Sequence, residues 1–163
     1  MNAFSKMIEI IVTVFLLFLV PLQYIEMKQD LVCQVYVQNE TIYFVDSVRN
    51  LGYVNRSMYQ LFQKRIEQTN HVYHINLVHY KRLQSEETGG NQYVGTYTEL
   101  ILDELYGEED TKYSMNKGDF FSVEIVNKDK TLSTRIFEML IDKTVTMDEI
   151  YVTYGGGIRD EII

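Results

Sequence analysis

Residues 7–25 read MIEIIVTVFLLFLVPLQYI, the one long apolar run in the chain. In a helix rising 1.5 Å per residue, about 20 apolar residues span the ~30 Å hydrocarbon core of a bilayer. This run just reaches across. From Ile10 to Leu22 it carries no charge, and Thr13 is its polar residue; a threonine hydroxyl inside a helix bonds back to the carbonyl four residues earlier. Glu9 interrupts the apolar character at the start and Pro21 lies near the end. A cleaved signal peptide also combines a short polar segment with an apolar core. However, the stretch after Pro21, Leu-Gln-Tyr-Ile-Glu-Met-Lys, lacks the small-x-small pattern of a cleavage site, and Lys6 is the only basic side chain ahead of the run. A core helix of a soluble protein is usually shorter and less purely apolar. The run therefore reads as a retained transmembrane helix, with residues 1–6 as a short cytoplasmic segment or leader.

Lys6 and the α-amino group precede the run, whereas Glu26, Lys28 and Asp30 follow it, so the positive-inside bias predicts a cytoplasmic amino terminus and an extracytoplasmic body over residues 26–163. Membrane lipid is the first partner this implies. The net charge of -8 argues against nucleic acid or an anionic bilayer surface as a partner, because both would repel the chain. Cys33 is alone, which rules out an intrachain disulfide and leaves packing or intermolecular pairing. No segment after residue 26 has the composition of a linker, so the body reads as one domain.

Between Gln23 and Asn50 there is neither proline nor glycine, and Ile25, Val32, Val35, Tyr36, Ile42, Tyr43, Val45 and Val48 recur at helical spacing. The transmembrane helix is thus expected to continue as an amphipathic one that stops at Gly52, although β-branched residues over 35–45 weaken that assignment. Asn55 is positioned to cap a second helix with a Met58, Leu61, Phe62, Arg65, Ile66 stripe. Val72 to Leu83 reads as a strand entering the loop Ser85–Asn91, and Thr96-Tyr-Thr-Glu99 has capping-box spacing ahead of a short helix with Leu100, Ile101 and Leu105 on one face. Phe121, Val123 and Ile125 alternate with polar residues in a half-buried strand. Thr131 or Ser133 caps a helix with Ile136, Phe137, Leu140 and Ile141 on its apolar face. Glu149 to Tyr154 is a last strand, and Gly155-Gly-Gly157 a tail. The fold class that follows is α+β: a long amino-terminal helix, transmembrane then amphipathic, packed on a small, mainly antiparallel three-stranded sheet with short helices.

Residues with potential chemistry are scattered. His71, His74 and His79 invite a metal reading, yet on a strand His74 points away from the other two, and His71 and His79 stand about 26 Å apart at ~3.3 Å per residue. The acidic group Asp103, Glu104, Glu108, Glu109 and Asp110 lacks the ligand alternation of a calcium loop. Gly155-Gly-Gly-Ile-Arg159 lacks the ending of a phosphate-binding loop. Asn39-Glu-Thr41 and Asn55-Arg-Ser57 match the glycosylation triplet, a pattern frequent by chance. Neither a nucleophile motif nor a cofactor motif stands out, so no catalytic residue, metal or cofactor is expected and the chain does not read as an enzyme.

Glu9 is the residue that composition leaves unexplained. A carboxylate near the end of a span can snorkel to the headgroups. The order Phe4-Ser-Lys-Met-Ile-Glu9, apolar helix, Val20-Pro21-Leu-Gln-Tyr24 and a long amphipathic continuation also resembles the amino-terminal region of the type IV pilin superfamily, over roughly residues 3–50. Within that superfamily it is similar to pseudopilins and minor pilins of tight-adherence (Tad) machinery. Lys117-Gly-Asp-Phe-Phe-Ser-Val-Glu-Ile-Val-Asn-Lys and Tyr151-Val-Thr-Tyr-Gly-Gly look like the end of Tad-associated proteins of Gram-positive bacteria. The resemblance implies a subunit anchored in the plasma membrane that assembles with other pilin-like or secretion-system subunits. Glu9 would neutralise a neighbour's amino terminus, and Pro21 would bend the helix. Leader processing would fall after Ala3 or after Phe4, which departs from the glycine that usually ends such leaders. The competing class is a single-pass accessory protein whose extracytoplasmic domain binds a ligand or partner without a filament.

Overall fold

A computed structural model describes residues 3–84, 91–107, 111–141 and 150–159. Their elements run α1 (Ala3–Leu51), β1 (Tyr53–Asn55), α2 (Arg56–Ile66), a 3-10 turn (Glu67–Thr69), β2 (Tyr73–Gln84), β3 (Asn91–Tyr97), α3 (Thr98–Gly107), β4 (Lys112–Ser114), β5 (Phe120–Asn127), α4 (Leu132–Ile141) and β6 (Tyr151–Gly157). The chain divides into two compact units, one of residues 1–33 with 130–149 and one of residues 34–129 with 150–163. Glu108, Glu109, Asp110, Glu149 and most of the loop expected from Ser85 lie outside the described residues.

In the first unit, α1 keeps its helical form through Pro21, and α4 starts under Thr131. There the Thr134 N–H donates to Thr131 Oγ1 at 3.4 Å and the Arg135 N–H to the Thr131 carbonyl at 3.1 Å, so Thr131 is the cap. Lys130 and Glu138 form an ion pair.

The second unit is α+β, but it holds two antiparallel sheets in place of the expected three-stranded one. The larger has the order β3-β2-β5-β6 and the smaller pairs β1 with β4. The short β1 and β4 offer three residues each, too few for period 2 to register. β3 contains Gly95, which breaks the apolar alternation. The largest correction concerns Gly155, Gly156 and Gly157, which form no tail. They are the end of β6, paired with Ser122, Phe121 and Phe120 of β5. A Cβ on Gly155 would stand 2.5 Å from Ser122 Cβ and 2.9 Å from the Phe121 carbonyl oxygen, and one on Gly156 would collide with the Arg49 guanidinium. Close approach to the β5 backbone requires glycine at 155, and at 156 an added methyl would have to displace the guanidinium.

The core of this unit forms where α1 crosses the large sheet. Val37, Thr41, Phe44, Val45 and Val48 are buried at successive helical turns, a stripe that keeps the expected Val45 and Val48 but leaves Val35 and Tyr43 exposed. Burying a valine gains about 1.5 kcal/mol or more, against a helix-propensity cost of at most ~0.7 kcal/mol per β-branched residue, so packing overrides local preference over 35–45. Phe44 stacks on Phe62 of α2 (centroids 4.4 Å, 6°) and meets Phe121 of β5 edge-on (6.3 Å, 67°). As the alternation predicts, Phe121, Val123 and Ile125 are fully buried.

Chain punctuation follows the sequence closely. Gly52 ends α1 at φ +72°, its N–H bonded to the Val48 carbonyl at 2.9 Å. Asn55 accepts from the Met58 N–H at 2.8 Å, and α2 ends through its 3-10 turn at left-handed Asn70. On α2 the buried residues are Tyr59, Phe62 and Ile66, with Leu61 exposed; on α3 they are Ile101 and Leu105, with Leu100 exposed. The Thr96–Glu99 capping box does not form, because Thr96 and Tyr97 are in β3. Helix α3 starts instead at Thr98, whose hydroxyl accepts from the Leu77 N–H at 2.8 Å.

Candidate functional site

The apolar half of α1 is the first candidate. Its most apolar window has the length and composition to cross a membrane and is wholly unburied. Met7, Ile11, Phe15, Leu17 and Phe18 all stand exposed. Thr13 Oγ1 donates to the Glu9 carbonyl at 2.7 Å, the back-bond its sequence position predicts. That bond satisfies the hydroxyl without a partner from outside the helix. Glu9 and Lys6 line a shallow groove of about 370 Å³ with Ile10, Thr13 and Val14, so the helix surface offers a carboxylate and an ammonium beside apolar side chains. Pro21 has no N–H to give the carbonyl four residues earlier, which leaves the Leu17 oxygen without its helical donor. Ala3 and Phe4, the candidate processing positions, lie in the first turn of α1.

The second unit contains a buried polar chain that sequence reasoning missed. His79 of β2 is 3 % exposed and Asp119, just before β5, 2 %. Asp119 Oδ1 accepts from the Arg82 N–H at 2.9 Å; its Oδ2 accepts from the Asn116 N–H at 2.8 Å and faces His79 Nε2 at 3.0 Å. An ionised carboxylate only accepts, so Nε2 carries a proton, and in the neutral ring Nδ1 is then free to accept from the Tyr113 hydroxyl at 2.7 Å. Burial pushes the Asp119 carboxyl up, but the Arg82 and Asn116 N–H groups, with His79, outweigh it and hold the group below the ordinary carboxylate range. Burial raises the Tyr113 phenol, with Glu104 and Asp119 adding to the rise and a bond from Thr96 opposing it. All three side chains of this polar chain are buried. What it does is join β4 to β2 and β5. Its signal in the sequence was the alternation Ile75, Leu77, His79, which places the histidine on the core face.

The other two histidines do not join it. His74 is exposed on the opposite face of β2, and His71 precedes the strand, its ring 6.3 Å from that of Tyr73. Among the described residues no group of three His, Cys, Asp or Glu is placed to hold a metal ion. Cys33 is buried, and burial, followed by the charge of Asp30, raises its thiol.

Arg49 stitches the end of α1 to β6. Its Nη1 meets Asp46 at 2.7 Å, its Nε donates to the Gly157 carbonyl at 3.0 Å, and its own carbonyl accepts from the Arg159 N–H at 2.9 Å. A groove of about 240 Å³ between α1 and α2 has Phe44, Met58 and Phe62 in its lining, with the Glu40–Arg65 pair (3.0 Å) also along it. No protein-family model matches this chain, and neither a curated protein nor a solved structure matches it.

Proposed function

We propose that the chain is a pilin-like subunit that spans the plasma membrane through residues 7–25, amino terminus inside, and displays its α+β domain outside the membrane. It acts by assembling with other pilin-like or secretion-system subunits, and it catalyses no reaction. The observation that carries this reading is the unburied apolar half of α1 with a carboxylate at its start. In water such a surface is an aggregation liability, whereas hydrocarbon accepts it at no cost. A carboxylate in hydrocarbon is the exception, costing several kcal/mol unless paired. The amino terminus of a neighbouring subunit is the partner that gives Glu9 a purpose within an assembly.

The test uses the chain in its native membrane. Carbonate washing should leave it in the pellet, and protease added to intact cells should digest the domain. Intact mass should show loss of the residues up to Ala3 or Phe4. Glu9→Ala should leave membrane insertion unchanged and abolish co-purification of other subunits by crosslinking. A chain that stays in the cytosol, or a Glu9→Ala variant that crosslinks like wild type, overturns the proposal.

A further inference from the structure

The solvent face of the four-stranded sheet carries residues that the assembly reading leaves unused. Strand alternation sends Leu77 and His79 into the core, so Val78, Tyr80 and Arg82 stand on the other face. The register sets Tyr93 opposite Arg82, Gly95 opposite Tyr80 and Tyr97 opposite Val78, while Phe120 flanks Tyr80 from β5. Paired residues share a face. Tyr80, Tyr93, Tyr97 and Phe120 are 37, 53, 60 and 40 % exposed.

Two of these rings lie over a glycine. A Cβ on Gly95 would stand 3.3 Å from Tyr97 Oη and 3.4 Å from Tyr80 Cε1, so both tyrosines lean over bare backbone and leave their outer surfaces to solvent. The Tyr80 and Phe120 ring centroids are 6.3 Å apart with their planes tilted by 51°, so the row follows the twist of the sheet. On the β6 side of the same face, Gly157 stands opposite Phe120 and Gly155 opposite Ser122, so no side chain rises there beside the aromatic row. Shielding Gly95 in an edge strand is a structural use for Tyr80 and Tyr97. It leaves Tyr93 and Phe120 unexplained.

Charge selects among occupants. This face presents Arg82 and Glu124, one of each sign, with His74 towards the far end, and Glu124 is already engaged by Asn76 Nδ2 at 3.2 Å. Single-stranded nucleic acid also stacks on aromatic platforms, but it requires a positive groove, and a chain of net charge -8 repels polyanions. A neutral occupant with flat apolar faces and a hydroxylated perimeter suits tyrosines, whose rings combine an apolar body with a polar tip. The geometry points to a binding site for a neutral polysaccharide chain, its sugar rings stacked on Tyr80, Tyr93, Tyr97 and Phe120. This inference stands independently of membrane anchoring and assembly.

The experiment is co-sedimentation of the full-length chain in detergent micelles with microcrystalline cellulose and, separately, with chitin, both neutral. Wild type should be depleted from the supernatant by at least one of them. Tyr93→Ala, which uncovers no glycine, and Tyr97→Ala should each weaken retention about tenfold, equivalent to the loss of one aromatic stacking contact. Tyr97→Phe should retain most of the binding. A wild-type chain that remains in solution with both polysaccharides overturns the site, as does a Tyr93→Ala and Tyr97→Ala pair that sediments like wild type. Tighter binding to an oligothymidylate than to either polysaccharide overturns it in favour of nucleic acid. A patch that sets self-association by sedimentation equilibrium, without affecting polysaccharide retention, overturns it in favour of a second copy of the chain.

Discussion

Residues 7–25 and residues 37–48 belong to the same helix, yet the first stretch leaves Leu16, Leu17, Leu22 and both phenylalanines exposed while the second hides Val37, Val45 and Val48 completely. The difference lies in how apolar residues are arranged around the helix. The first stretch is apolar on every side, so no single face could be buried by a sheet, and its length and composition are those of a membrane span. The second buries positions 37, 41, 44, 45 and 48, which fall on one stripe. Even Thr41 fits there, because its hydroxyl bonds to the Val37 carbonyl at 2.7 Å. One helix thus carries two kinds of surface.

The sharpest way to break this contrast is to place the same charge in each stretch. Val45→Asp puts a carboxylate in a site with no exposure and should cost more than ~3 kcal/mol. Thermal unfolding in detergent, followed by near-ultraviolet circular dichroism of the tyrosines, should show a midpoint lowered by about 15 °C or more. Leu16→Asp, at a position 51 % exposed, should leave that midpoint unchanged within about 2 °C and instead reduce membrane insertion, where a central aspartate costs about 2.5–3.5 kcal/mol. If both variants shift the same observable, the two stretches are not independent.

Asp119→Asn probes the buried polar chain of the second unit. Both carboxylate oxygens accept from fixed backbone N–H groups, so turning one into an NH₂ sets donor against donor at Arg82 or at Asn116. The expected cost is about 1.5–3 kcal/mol. The pH dependence gives a second reading. Because the folded pKa lies below the unfolded value of about 3.9, the stabilisation is complete above that value and disappears as pH falls through the folded pKa. Denaturant midpoints of wild type should therefore drop in that acid window, and those of the variant should drop less. Parallel curves would assign the pH dependence to other carboxylates.

How much of this was readable in advance depends on the scale of each signal. The apolar run, the continuous α1, the Asn55 cap, the Gly52 stop and the alternation of β5 each rest on one local rule, and each is present. The stripe over 37–48 was misplaced in part because Val32, Val35 and Tyr43 are as apolar as the residues that are buried; only the sheet decides which side is inside. The glycines of β6 read as a tail because what they approach is distant in sequence: Gly155 lies against Ser122 and Phe121 of β5, and Gly156 against Arg49 of α1. His79 and Asp119 were individually visible, but no spacing rule joins residues brought together by the pairing of β2 with β5. The assembly role proposed for Glu9 and Pro21 rests on resemblance and chemistry.

Gly156→Ala measures that long-range contact. The added methyl meets the Arg49 guanidinium, and overpacking of this kind costs about 1–3 kcal/mol. Arg49→Ala in the same chain removes the obstacle together with the Gly157 bond. The double variant should therefore be less destabilised than the sum of the two singles, by at least ~0.5 kcal/mol. Additive effects would mean that the guanidinium swings away freely and that the glycine is needed for another reason.

The smallest effect expected is that of Asn55→Ala, and it sharpens the contrast because it touches neither stretch of α1. Asn55 Oδ1 accepts from the Met58 N–H at 2.8 Å and from the Ser57 hydroxyl at 2.8 Å, and its removal leaves the first turn of α2 without a capping acceptor. The loss should be about 1 kcal/mol. Helix α2 supplies Phe62, the ring stacked on Phe44 of α1, so fraying at its start should register in the stability of the second unit alone. Urea midpoints should fall slightly with an unchanged slope, while the fraction of chain in the membrane pellet stays at the wild-type value. A change in that fraction would mean that the domain helps to hold residues 7–25 in place, and the two surfaces of α1 would then have to be treated as one.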